Sequence, residues 1–151
     1  MPILFENESD FVCSESDLIS LATYAIRFMN LDERVELSIL AVDEDEMERL
    51  HIEWMDESGP TDVLSFPIDQ LRPNQEFVEG EGTLVDVVLC PSVASKQAET
   101  AGHSLDDELR ILLVHGILHL MGYDHAEPEE EAKMFELQRR IVTNWLDNGR
   151  N

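Results

Sequence analysis

Apolar and polar positions recur along this chain with two periods, and the places where one gives way to the other mark its elements. Pro2 to Asn7 reads as a short strand. Leu18, Leu21, Ala22, Ala25, Ile26 and Met29 share one face at helical spacing, behind Ser16 as capping residue. Val35, Leu37, Ile39 and Ala41 alternate with Glu36, Ser38 and Leu40, which predicts a strand with one core face. Asp43 caps a second helix that carries Met47, Leu50, Ile52 and Trp54 and stops at Gly59-Pro60.

The period of two returns at Thr61 to Phe66, a strand halted by Pro67. Asp69 to Gly82 has no clean period and reads as a loop. Leu84 to Cys90 is the most β-like run and predicts a central strand. Three helices complete the chain. Pro91-Ser92 opens the first, to about Thr100. Ser104 caps the second, with Asp107 three residues on. Pro128 starts the third, with Glu129 to Glu131 at its positive end and Phe135, Ile141, Val142 and Trp145 on its inner face. This order predicts an α+β fold: a small mixed four-stranded sheet packed with helices, in a single domain over residues 1–151.

Composition adds a compartment and removes some partners. No apolar run reaches the roughly 18 residues that span a bilayer. The N-terminal stretch Met1-Pro2-Ile3-Leu4-Phe5-Glu6 lacks the basic start and cleavage site of a signal peptide, so a cytoplasmic protein without membrane contact is expected. In that compartment Cys13 and Cys90 are expected reduced and buried rather than bridged. Ten Lys and Arg stand against 33 Asp and Glu, a formal net charge of −23. That balance argues against broad, non-specific nucleic-acid binding, and no DNA partner is expected.

The chemistry sits near the end of the helix capped by Ser104. His115 and His119 are four residues apart, so they stand one turn apart on one helix face. Gly122 can end the helix in the left-handed conformation, and His125 can then fold back as a third ligand. Three imidazoles and no neighbouring thiolate suit one zinc ion per chain in an open three-ligand site on a helix and the turn after it; nickel or cobalt suits the same cage. The string H-x-x-x-H-x-x-G-x-x-H has the spacing of metzincin proteases. Those enzymes carry their general-base Glu directly after the first His, where this chain has Gly116. The cage is kept and the protease base is absent. Asp124, beside His125, is placed either to orient an imidazole or to hold the turn's backbone. Tyr123 reads as packing, and His51 and His103 receive no role.

The run His115-Gly-Ile-Leu-His-Leu-Met-Gly-Tyr-Asp-His125 resembles the signature of the YbeY family of bacterial endoribonucleases. Pro60-Thr-Asp-Val-Leu-Ser-Phe-Pro67 resembles that family's second block, and Asp86-Val-Val-Leu-Cys90 and Gln97-Ala98 follow its order. The resemblance covers about Val35 to Trp145. It implies a metal-dependent, single-strand-specific endoribonuclease that acts on the 3′ end of small-subunit (16S) ribosomal RNA and in ribosome quality control. The implied partners are ribosomal RNA and the small ribosomal subunit. It places His115, His119 and His125 as zinc ligands and Ser65 near the site. Two positions depart from the pattern. Met55 stands where the family usually has an Arg that holds phosphate, and Val85 where it usually has Gly. Lys96, Arg110, Arg139 or Arg140 would then have to supply the phosphate contact. Two other functions fit the residues: a metal-dependent peptidase or other hydrolase, and a ribosome-assembly factor with a structural zinc.

Overall fold

A computed structural model describes residues 3–30, 35–55, 59, 61–67, 83–120 and 128–149. The four strands are β1 (Ile3–Asn7), β2 (Val35–Ala41), β3 (Val63–Pro67) and β4 (Thr83–Leu89). They form one sheet in the order β1-β2-β4-β3. β1 and β4 both pair with β2 in parallel, and β3 pairs antiparallel with β4. The expected mixed four-stranded sheet is therefore present, with the β4 run in its interior.

The helices are α1 (Glu15–Phe28), α2 (Glu44–Met55), α3 (Pro91–Ala101), α4 (Leu105–Leu120) and α5 (Pro128–Asn144). A short π-helical turn, Trp145–Gly149, continues α5. The main core lies where α1, α4 and α5 cover one face of the sheet. It joins Leu21, Ile26, Leu37, Ile39, Val87, Leu89, Leu113, Ile117, Ile141 and Trp145. The other face carries a smaller cluster of Val42, Met47, Leu64, Val88 and Cys90, against which Leu40 packs. β2 thus has two packed faces rather than one, because Leu40 fills the smaller cluster.

Helix starts follow capping chemistry, with one correction. Ser104 Oγ accepts from the Asp107 N–H at 3.1 Å, as its spacing predicts. Pro91 occupies the first position of α3, and Gly102 closes that helix with φ of 81°. α1, however, begins at Glu15, so Ser16 lies inside it. Ser14 takes the cap position, and its carbonyl accepts from Leu18 N–H at 3.0 Å. Asp43 holds the cap position of α2 as expected, its carbonyl accepting from the Met47 N–H at 3.0 Å, while its carboxylate accepts from the Asp10 N–H at 3.1 Å and ties the segment after β1 to the start of α2. Of the apolar residues that α2 carries, Met47 is buried and Ile52 is exposed. The loop expected from Asp69 to Gly82 lies outside the described residues, as does the Gly122 turn. No helix among the described residues is long and apolar enough to cross a membrane.

The last turn of chain carries a second correction. The buried stripe of α5 and its continuation is Met134, Ile141 and Trp145, with Val142 partly covered. Phe135 is not on it: 43% of its surface is exposed. The Trp145 indole N–H donates to Ser20 Oγ at 3.0 Å, which locks α5's end against α1.

Candidate metal centre

Gly116 decides how α4 sits. A Cβ at this position would lie 3.0 Å from Val87 Cγ1, 3.1 Å from Ser65 Oγ and 3.3 Å from Val63 Cγ2. The helix backbone therefore rides directly on β3 and β4. Ser65, buried on β3, donates its hydroxyl to the Gly116 carbonyl at 3.0 Å. This contact brings one face of α4 against the chain around β3, and a cleft of about 200 Å³ opens between them. It is lined by Thr61, Asp62, Val63, Ser65, His115 and His119.

Both described histidines of the motif face this cleft, as their spacing predicts. His119 is exposed near the end of α4, and His115 is half-buried one turn before it. His125, Asp124 and Tyr123 lie outside the described residues, and among the described residues no three potential ligands come together. His115 has a partner that its own neighbourhood in sequence does not reveal. Its Nδ1 lies 3.1 Å from Gln138 Oε1 on α5. A carbonyl oxygen only accepts, so Nδ1 carries the proton and Nε2 carries the lone pair. That tautomer suits a metal ligand held by a second residue. The Phe135 ring stacks beside the same imidazole, with centroids 6.4 Å apart and planes 29° from parallel.

The opposite wall is as firmly held. Asp62 accepts from the Val63 N–H at 2.8 Å and from Gln97 Nε2 at 3.2 Å, and its backbone carbonyl accepts from Cys90 N–H at 2.9 Å. Gln97 thus fixes the carboxylate from α3. A model of the Endoribonuclease YbeY family matches residues 4–146. The chain belongs to that family. It is 55% identical over 146 residues to Endoribonuclease YbeY of Leifsonia xyli subsp. xyli, covering 96% of this chain and 95% of that one. With Endoribonuclease YbeY of Beutenbergia cavernae it shares 53% over 141 residues, covering 93% and 94%. The solution structure of TM1509 from Thermotoga maritima has the same fold, at a TM-score of 0.61 and 28% identity over 96% of this chain and 90% of that one. The two YbeY blocks of the sequence, Pro60–Pro67 and His115–His125, are therefore brought together at one cleft, through Thr61 to Ser65 on one side and His115 and His119 on the other.

The four cations offered as substitutes for the family's phosphate-binding Arg do not meet this expectation. None of them lines the cleft. Lys96 is exposed on α3 and pairs with Glu44 at 3.3 Å. Arg110 is buried between Asp107 at 2.7 Å and Asp17 at 3.2 Å, over the Trp145 ring. Arg140 lies over Phe28, and Arg139 is exposed on α5. Arg110 shares α4 with the histidines but leaves it on the side of Asp17 and Trp145. Met55 and Val85 are described by backbone alone. His51 reaches back to the Gly59 carbonyl at 2.9 Å and His103 to Glu108 at 2.7 Å, and neither lines the cleft. Cys13 and Cys90 are unbridged, and burial raises both thiols, so neither offers a thiolate.

Proposed function

We propose that this chain is a zinc-dependent, single-strand-specific endoribonuclease. Its proposed substrate is the 3′ end of small-subunit ribosomal RNA, its partner the small ribosomal subunit, its compartment the cytoplasm, and its wider role ribosome quality control. One observation carries the reading. Ser65 of the first block closes on Gly116 of the second, so both blocks face one cleft beside His115 and His119.

The donor set fits the metal. His115 presents its Nε2 lone pair when its Nδ1–H donates to Gln138 Oε1, and among the described residues no sulfur lines the cleft. His115, His119 and His125 would hold the ion, which supplies Lewis acidity toward a phosphodiester. Ser65 commits its proton to Gly116, so it seats the helix rather than attacking substrate. The tight seat of Gly116 leaves no room for the Glu a protease would carry there. RNA brings its own nucleophile, the 2′-hydroxyl, and an RNase can do without that base. A 2′,3′-cyclic phosphate on the cleaved RNA would mark attack by the 2′-hydroxyl; a 3′-hydroxyl with a 5′-phosphate would mark attack by water.

The test is cleavage of single-stranded against duplex RNA by the zinc-loaded protein and by His119→Ala. His119 is exposed, so its removal should leave the fold intact. The expected result is single-strand cleavage that His119→Ala abolishes. RNA processing that survives in a folded His119→Ala protein overturns it. Peptide hydrolysis without RNA cleavage would establish the peptidase instead. That no Lys or Arg among the described residues lines the cleft favours a second reading, an assembly factor with a structural zinc. It requires zinc binding with no cleavage.

A further inference from the structure

A second cleft, of about 370 Å³, opens on the α5 side of His115. It shares His115 and Asp62 with the first cleft. Its apolar surface comes from Ile111 and Leu112 of α4 and from Phe135 of α5, and Glu131 adds a carboxylate at the rim. Phe135 is the residue that the period of α5 expects in the core. It stands instead 43% exposed beside a proposed metal ligand. A half-exposed aromatic ring in the wall of a concave cleft offers a face on which a ligand can stack.

Charge selects the occupant. Asp62 and Glu131 face this cleft, and among the described residues no Lys or Arg lines it. A phosphate is repelled here. A nucleobase is not: it is uncharged, its face stacks on an aromatic ring, and its edge N–H groups can donate to carboxylates. Resting on the RNA reading above, we propose that this cleft holds one unpaired nucleobase, stacked on Phe135, while the attached phosphodiester crosses the neighbouring cleft at His115 and His119. The stack supplies grip beside a cleft that no Lys or Arg among the described residues lines. It also supplies selectivity for single strands, because a base already paired and stacked in a duplex must be extruded before it enters.

The experiment measures binding of a fluorescein-labelled single-stranded oligoribonucleotide by polarisation, to zinc-free protein so that nothing is cleaved. Wild type, Phe135→Leu and Phe135→Trp are compared, with KM for cleavage by the zinc-loaded forms as second readout. Melting temperature and zinc stoichiometry check the fold of each variant. Stacking of one base on an aromatic ring corresponds to roughly a 5- to 150-fold change in affinity. Phe135→Leu should lose affinity within that range and raise KM similarly, with kcat little changed; Phe135→Trp should retain both. A duplex of the same sequence should not distinguish the three proteins. The proposal is overturned if Leu binds as wild type does, or if Trp fails along with Leu. Loss of zinc or of folding in Phe135→Leu, with Trp also impaired, would mark a packing role and overturn it equally. If wild type cleaves RNA and Phe135→Leu is indifferent, only this subsite falls, leaving Phe135 to a protein partner. If wild type neither binds nor cleaves RNA, the enzyme reading falls first and takes the subsite with it.

Discussion

Gly116→Ala adds one methyl group where α4 rests on the sheet, and its cost follows from three distances. The new Cβ would meet Val87 Cγ1 at 3.0 Å, Ser65 Oγ at 3.1 Å and Val63 Cγ2 at 3.3 Å. None of the three yields easily. Val87 is fully buried on an interior strand paired on both sides, and Ser65 is held by its bond to the Gly116 carbonyl. Overpacking of this kind costs about 1–3 kcal/mol. A helix pushed off the sheet also loses the buried Ser65 hydrogen bond, about 1 kcal/mol. Against these stands the helix propensity of Ala over Gly, about 1 kcal/mol. The net is a destabilisation of about 1–3 kcal/mol, a Tm lower by roughly 2–12 °C for a chain of this size. Urea melting of wild type, Gly116→Ala, Val87→Ala and the double variant measures it. Trimming Val87 removes the nearest obstacle, so the penalty of Gly116→Ala should shrink in that background. A Gly116→Ala protein more stable than wild type by the full propensity gain would refute the close seating of α4.

Three further perturbations follow. Gln138→Leu removes the acceptor of the His115 Nδ1 proton and should weaken zinc binding about 10- to 100-fold, whereas Gln138→Glu should keep most of it; chelator competition reads this, and equal affinity in all three proteins would remove Gln138 from the site. Burial raises the Asp86 carboxyl above the ordinary aspartate value of about 3.9, so the folded chain holds that proton more tightly than the unfolded one. Stability is therefore lost as pH rises through the window between those two values. Asp86→Asn should lessen that loss and stabilise the protein at neutral pH, and identical pH slopes in urea melts of both proteins would count against it. Arg110→Ala breaks the pairs to Asp17 and Asp107 and uncovers Trp145. It should cost somewhat less than the roughly 3–5 kcal/mol of a fully buried pair, since Asp107 is half-exposed, and leave zinc affinity unchanged; a loss of zinc binding in a folded variant would restore Arg110 to the site.

What could be read from sequence was what depends on neighbours along the chain. The i, i+4 pair His115 and His119 faces one cleft because helical period alone fixes it. The Ser104 cap and the interior β4 run have the same local origin. Long-range partners were less legible. Gln138 lies 23 residues from His115, and only one trace marks it. It is a polar residue set at helical spacing among Met134, Ile141 and Trp145, where an apolar one is due. Gly116 was legible as a missing protease base; its packing reason required the sheet beneath it. Phe135 was assigned to the core on hydrophobicity, although Met134 already held the inward position one residue earlier. The four cations failed for a related reason: composition supplied them, and Lys96, Arg110 and Arg140 are engaged by partners distant in sequence.

We propose that RNA cleavage occurs at a zinc held by His115, His119 and His125. It is tested most directly by adding zinc stepwise to stripped protein while bound metal and cleavage of a single-stranded RNA are followed together. Activity should rise in proportion to bound zinc and level off at one ion per chain, with neither signal in His119→Ala. Full cleavage by the stripped protein, or one zinc bound with no cleavage at any step, would contradict it.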